Sequence, residues 1–474
     1  MPQVPFTPST YDFQDYGVPP AILENFYPER LEERSDWPFR LVMTPGLVQT
    51  GEGVEGKIAR GVTQADELVN GEIVSIAGDE VSRYDADGNR TLIGTVADDG
   101  KPVTFASSQA QMIVVSGGRA YIITADAVED ITANFTINSG PIIDVAVFNN
   151  RHLYVEGGSG RIIFSRPGDG SDIQGEFFTA EQSPDQLRGV MVVSASIFAI
   201  GTRTIELFTG TTSDNVPFIR RNGNILRVGM MATRANAELD GIGYWVGEDS
   251  VVYLWAGGRQ RPISPAWMER ELSKLQPDER LLVRMNVHSW SGHKFISIAI
   301  PGIGDFFFDQ ATEQWHRRKA TSITPGAQWD YDYFVQAFGD TFVQRKVDGA
   351  IFRFSPFVYR ENQISVRRVA TALVPVRKAT AITNVVIECQ AGIGRPEPGN
   401  AIRTDPKIEI AIAHDGITYG PGQIRELGRM GQTFVRPSVL QMGTVRPPLC
   451  AIQVAFSDSA PLTLLGLTYG ERIN

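Results

Sequence analysis

The chain predicts an all-β protein: a β-propeller of about six or seven blades, a β-sandwich-like unit after it, and one short helix near residues 265–275. Between about Lys57 and Tyr359, short runs of β-branched and aromatic residues alternate with Gly or Asp-Gly turns. Strand pairs recur roughly every 40 to 50 residues, the period of one four-stranded blade. Beyond Tyr359 the strands lengthen and the period is lost.

Residues 1–56 are rich in Pro, Tyr and Glu, as in Asn25-Phe-Tyr-Pro-Glu-Arg and Thr44-Pro-Gly-Leu. They read as an extended N-terminal arm that reaches a neighbour or completes the last blade. Residues 57–359 carry the propeller, with strands at 72–77, 112–116, 120–124, 142–148, 152–156, 161–165, 189–194 and 196–201. Further strands fall at 243–247, 250–255, 294–300, 305–309, 333–338 and 350–354. Hairpin turns are signalled by Gly117-Gly118, Asn149-Asn150, Asp87-Gly88, Asp348-Gly349 and Gly339-Asp340. No Trp-Asp or kelch signature fixes the blade number, and a pair of packed β-sandwiches accounts for the same texture.

One helix interrupts the pattern at 263–275. Ser264 is placed to cap it, Pro265 suits the first position, and Trp267, Met268, Leu272 and Leu275 form an apolar stripe. Residues 360–474 read as the C-terminal β-sandwich-like domain, with strands at 363–370, 382–389, 407–413, 450–456 and 462–469 and a loop at 391–400.

No apolar run approaches the roughly 18 residues of a membrane-spanning helix, and the N-terminus lacks a basic and apolar leader pattern. The two cysteines, Cys389 and Cys450, sit in apolar strand contexts and read as buried thiols made in a reducing cytosol. The net charge of −10 is uneven. Residues 360–474 hold 13 Lys and Arg against 9 Asp and Glu, a surplus of +4 that leaves −14 for the rest. Such acidity opposes tight duplex binding but suits a wall past which DNA slides. Arg367-Arg368 and Arg377-Lys378 read as a solvated strand face.

Chemistry-bearing patterns are weak. His288 and His293 are the only close histidine pair, across a hairpin, with no further ligand at metal spacing. Tyr84-Asp-Ala-Asp-Gly-Asn-Arg resembles half a calcium loop without its closing Glu, and reads as an Asp-Gly hairpin. The Gly-x-Gly stretches at Gly241, Gly243 and Gly247, at Gly302 and Gly304, and at Gly392 and Gly394 read as turns. Candidate acids for a two-carboxylate hydrolase are Glu248 with Asp249, Asp305 with Asp309, and Asp330 with Asp332, each expected to be solvated. No catalytic, cofactor-binding or metal-ligating residue is assigned.

Several stretches in order along the chain resemble the tail hub or nozzle proteins of short-tailed bacteriophages, also called packaged-DNA stabilisation or head-completion proteins. They are Asn25-Phe-Tyr-Pro-Glu, Thr44-Pro-Gly-Leu, Arg60-Gly-Val, the pair 197–208, Ile263-Ser-Pro, Gln314-Trp315, His414-Asp-Gly-Ile-Thr-Tyr-Gly and Pro461-Leu-Thr-Leu. The resemblance implies a propeller with sandwich-like domains and a virion tail component made in the host bacterial cytoplasm. It implies a homo-oligomeric ring of six beneath the portal and adaptor proteins. Fibre, spike or needle proteins would be further partners, and the ring would retain packaged DNA, then conduct it with transient, non-specific contact at ejection. Two other readings compete: a propeller glycosidase or lyase, needing two carboxylates about 5 to 9.5 Å apart, and a lectin-like glycan binder using Trp245, Trp255 or Trp290.

Overall fold

The computed structural model describes residues 2–11, 20–31, 35–64, 71–136, 140–173, 175–180, 185–213, 217–320, 328–393 and 406–473. Most of the 391–400 loop lies outside these residues. Within them the chain forms seven four-stranded antiparallel blades, which resolves the open count. Blades 1 to 6 span 59–95, 104–130, 142–179, 187–226, 236–262 and 284–318. Blade 7 takes three strands from 331–355 and its fourth from Gly46–Gly51, which pairs antiparallel with Ile351–Ser355. First strands of blades 2 to 7 adjoin one another in order, and Tyr331–Ala337 of blade 7 returns to Ala59–Gln64 of blade 1. The circle is thus closed by a strand from the N-terminal stretch.

The gaps between blades are filled by apolar clusters, one of which runs continuously through blades 4, 5 and 6, because alternation along a strand sends successive side chains to opposite faces. Val74, Ile76, Met112 and Val114 fill the gap between blades 1 and 2, and Phe148, Leu153, Ile197 and Phe208 that between 3 and 4. The sequence reading missed all the fourth strands and several others, among them the first strands Ala59–Gln64, Thr104–Ser107, Asn236–Leu239 and Arg284–Trp290. Arg90–Thr95, Val128–Asp130 and Arg259–Pro262 are short, polar and largely exposed, so they carry no alternation signal.

The helix is observed at Ala266–Lys274, with Trp267, Met268 and Leu272 buried and Trp267 edge-on to Phe306 at 4.9 Å. Its start differs from expectation. Pro265 occupies the capping position, and Ser264 accepts the Val252 amide while donating to the Glu269 side chain, so its hydroxyl links blade 5 to the helix instead of capping a helix amide. A second helical turn, Pro277–Arg280, starts with a capping box between Gln276 and Glu279.

The sandwich is built from both ends of the chain. One sheet holds Thr380–Gln390, Ser438–Val445 and Thr463–Ile473 together with Gln3–Pro5, Phe26–Arg30 and Phe39–Met43. The facing sheet holds Arg368–Pro375, Lys407–Ala413, Gln423–Glu426 and Leu449–Phe456. Between them pack Ile382, Val385 and Ile387 against Ala370, Val374, Ile408, Ile410 and Ile452, with Val4, Phe26 and Leu41 of the N-terminal stretch. The two-residue strand Leu23–Glu24 then pairs on one side with Gln314–Arg318 of blade 6 and on the other with Arg368–Pro375. Blade 6 and half of the sandwich are therefore one nine-stranded sheet.

Leu47, on the closing strand, is 1% exposed in the core of blades 6 and 7. Leu47→Ala should lower unfolding stability by about 3 kcal/mol in denaturant titrations, with protease cleavage rising first within blade 7.

Candidate functional site

The polar side chains concentrate at the junction of blades 6 and 7 with the sandwich. Asn25 is its hinge pin. It adopts a left-handed φ of 57°, which Asn tolerates better than most residues, and is 1% exposed. Its side-chain nitrogen donates to the Lys319 carbonyl at 3.1 Å and the Arg367 carbonyl at 2.8 Å, while its oxygen accepts the Lys319 amide at 3.1 Å. Its carbonyl accepts the Thr44 amide and hydroxyl. Two stretches that carried the family resemblance, at Asn25 and Thr44, thus meet. So do two others: the Trp315 indole donates to the Ile263 carbonyl at 2.9 Å.

Beside this pin lies a buried ion pair. Arg318 donates to Glu361 at 3.0 Å and to the Pro45 carbonyl at 3.2 Å, with its guanidinium 3.8 Å from the Trp329 ring centroid. Trp329 in turn donates its indole N–H to the same Glu361 oxygen at 2.9 Å. Burial pushes the Glu361 carboxyl up and the Arg318 guanidinium down from their ordinary values. Desolvation opposes both charges, and the pairing, the indole and the aromatic face offset it.

Three of the five histidines, His288, His293 and His316, belong to this core. His288 stacks on Phe334 at 4.2 Å, His316 stacks on Phe307 at 5.4 Å, and the Nδ1 of each is buried without a hydrogen-bond partner. Burial lowers His288 well below its usual range and His316 to about 3. His293 instead shares a hydrogen bond of 2.9 Å with Asp309, which raises its pKa. Among the described residues no three His, Cys, Asp or Glu side chains converge to hold a metal ion. Cys389 and Cys450 are both free and buried, and burial pushes each thiol up to about 12.

The candidate acids are not brought into one cleft. Glu248 and Asp249 are exposed on a turn of blade 5, and Asp249 accepts the Tyr253 hydroxyl at 2.6 Å. Asp305 and Asp309 sit four residues apart on one strand, roughly 13 Å of strand rise. Contrary to the expectation of solvated acids, Asp305, Asp309 and Asp332 are buried. Asp305 accepts Lys346 at 2.9 Å and the Trp329 amide at 2.8 Å, and Asp309 accepts the Thr312 hydroxyl at 2.7 Å. Asp332 pairs with Arg284 and accepts Asn286 at 2.7 Å. Asp330 alone of that set is exposed. Each buried acid is committed to a structural partner, which the sequence could not reveal because Lys346 lies 41 residues from Asp305, Arg284 lies 48 from Asp332, and His293 meets Asp309 across a hairpin 16 residues away.

The remaining candidates resolve similarly. Asp85 accepts the amides of Asp87 and Asn89 at 3.0 and 2.9 Å, closing a hairpin between Glu80–Tyr84 and Arg90–Thr95. Trp245 is fully buried, Trp255 packs edge-on to Phe198 at 5.6 Å, and Trp290 packs edge-on to Phe354 at 5.5 Å. Arg368, read as part of a solvated face, is fully buried and donates to the Tyr359 and Val366 carbonyls.

Two variants check this assignment. Asn25→Ala should cost about 2 to 3 kcal/mol, from lost buried hydrogen bonds and the left-handed backbone, and Asn25→Gly less. For His316, the folded pKa lies below the unfolded value of about 6.5, so its contribution to stability is intact above that pH and lost as pH falls toward 3. The stability gap between His316→Phe and the natural chain should therefore shift by about 2 kcal/mol in favour of the variant between pH 7 and pH 5. A gap independent of pH would show that His316 titrates normally.

Among solved structures, the chain is similar to the N-terminal domain of Nup159, with 8% identity, a TM-score of 0.40, and coverage of 71% of this chain and 100% of that one. It is also similar to the WD40 β-propeller domain of Doa1, at 12% identity, TM-score 0.40 and coverage of 66% and 97%. BamB from Moraxella catarrhalis gives 14% identity, TM-score 0.38 and coverage of 71% and 98%. No curated protein matches the chain. A family model described as "Bacteriophage P22 Gp10, beta-propeller" matches residues 10–356, a span that takes in Asn25, the closing strand and all seven blades, and the chain belongs to that family of phage packaged-DNA stabilisation proteins.

Proposed function

We propose that this phage structural tail protein is a tail hub or nozzle subunit: it assembles as a ring, six in number, that extends the portal and adaptor channel, retains packaged DNA and conducts it at ejection. The family match over residues 10–356 carries this reading. The fusion of blade 6 with a sandwich sheet supports it, since a subunit under pressure from packaged DNA gains from a rigid joint between its two bodies. No enzymatic step is assigned, in keeping with the candidate acids Asp305, Asp309 and Asp332 each being tied to a cation or histidine.

The charge asymmetry suits the same role. An acidic propeller facing the channel would let a duplex slide without adhering, while the cationic C-terminal portion meets an acidic neighbour. Contacts between subunits fall most naturally on the free edges of the sandwich, where Phe434, Leu440 and Ile424 are 78%, 68% and 62% exposed. A ring contact through such a patch is head-to-tail and closes by rotation.

Light scattering of the purified chain, alone and with adaptor rings, tests the proposal. A mass near six subunits, either free or on the adaptor, is expected; a monomer indifferent to the adaptor would overturn it. The double variant Phe434→Asp/Leu440→Asp should leave the monomer's melting temperature unchanged within about 2 °C, because both side chains are exposed, yet lower the assembled mass to that of a monomer.

A further inference from the structure

One end of the sandwich gathers unpaired cations around an apolar groove. Two turns cross between the sheets there: residues 376–379 join Arg368–Pro375 to Thr380–Gln390, and residues 446–448 join Ser438–Val445 to Leu449–Phe456. The Val376 amide donates to the Pro448 carbonyl at 2.9 Å, which ties the turns together, and the Thr380 hydroxyl donates to the Lys378 carbonyl at 2.7 Å. Thr380 pairs with Val445 on one side and with Ile473 on the other, so the last strand ends at the same level.

Under the first turn lies a groove of about 370 Å³. Val374, Val376, Ile382, Val445 and Tyr469, from both sheets, wall it and are all buried. Arg377 and Lys378 stand on its lip, Arg446 opens the second turn, and Arg472 pairs with Ala381 near the end of the last strand. All four cations are exposed, and among the described residues none of them forms an ion pair. Other exposed arginines of the sandwich are matched, Arg367 by Glu409 at 3.2 Å and Arg436 by Glu388 at 3.0 Å. Two carboxylates share the groove end. Glu471 lines the groove, and Asp415, beyond Lys407–Ala413, accepts the Ile417 and Thr418 amides at 2.9 and 2.7 Å. Four cations against two acids leave +2, half of the C-terminal surplus of +4.

We propose that this end of the sandwich docks an acidic, extended segment of a partner protein. An apolar side chain of the segment fills the groove, and carboxylates on either side of it meet Arg377, Lys378, Arg446 and Arg472. Charge complementarity selects this occupant. A wholly apolar guest leaves the four cations unmatched, and a duplex offers phosphates but no side chain for the groove. A second copy could offer the exposed Phe434, but the loop that holds it carries Arg429 and Arg436 and would set cation against cation. The inference rests on the proposed contact between the cationic C-terminal portion and an acidic neighbour, and gives that contact a place.

The test is fluorescence anisotropy of a labelled synthetic peptide, two leucines flanked on each side by three aspartates, titrated with the full chain. Saturable binding is expected, weakened about tenfold or more when serines replace the leucines. Arg377→Glu/Lys378→Glu should raise the dissociation constant about tenfold or more, with the melting temperature unchanged within about 2 °C because both side chains are exposed on a turn. The same charge change on the propeller, Arg203→Glu/Arg259→Glu, should alter binding by less than about twofold. No saturable binding, equal binding of the serine peptide, an equal loss in the propeller variant, or displacement of the peptide by a short DNA duplex at matched charge would overturn the proposal. Light scattering in the same buffer reads assembly separately. A chain that stays monomeric with adaptor rings yet binds the peptide overturns the ring and keeps this site, and a ring that ignores the peptide does the reverse.

Discussion

A strand of two residues, Leu23–Glu24, is the constraint on which the rest depends. It is too short to be stable alone, and it is held because both of its edges are used: blade 6 pairs in parallel on one side and the sandwich in antiparallel on the other. Asn25 then turns the chain in a left-handed step and spends its amide on carbonyls of both bodies. Without this splice, blade 6 would end in an open edge of unpaired backbone groups. With it, a hydrogen-bonded sheet runs from the propeller into the sandwich without a linker.

Around the splice the protein tolerates an unusual number of buried ionisable groups. Arg318 with Glu361, Asp305 with Lys346 and Asp332 with Arg284 are all withdrawn from water, and two histidines serve as aromatic plates. A buried ion pair is weak evidence of stability, since an apolar replacement of equal shape often does as well. What such pairs supply is orientation. Each has a partner on a different strand or body, so a shifted register would strand a charge in the core.

Much of this architecture was legible in the sequence, for physical reasons that can be named. Buried central strands such as Met112–Ser116 and Ser196–Gly201 announce themselves because both faces are apolar. Outer strands such as Val128–Asp130 were silent because they are short and largely exposed, with too few buried positions to alternate. The stripe Trp267, Met268 and Leu272 gave the helix, but Ser264 was misassigned because its nearest partners, Val252 and Glu269, include one that only folding brings close. The acids read as solvated were buried for the same reason: Lys346 lies 41 residues from Asp305 and Arg284 lies 48 from Asp332. The part of Asn25 was visible only as a resemblance, since a left-handed Asn and its distant acceptors leave no periodic mark.

Because strands from 3–43 and from 368–473 share one sandwich, the whole ring of blades is an insertion within it, and the propeller hangs from the sandwich by two adjacent chain crossings. Traction on the sandwich therefore cannot peel the blades off one by one, as pulling on a free end would. It must shear several strands at once, with their hydrogen bonds loaded side by side and the Leu23–Glu24 splice at the root. The same topology delays closure during synthesis: Gly46–Gly51 leaves the ribosome early but finds its partner, Ile351–Ser355, only after three hundred further residues have followed. Until then the N-terminal strands have no sheet to join, and the last blade and the sandwich complete the protein together.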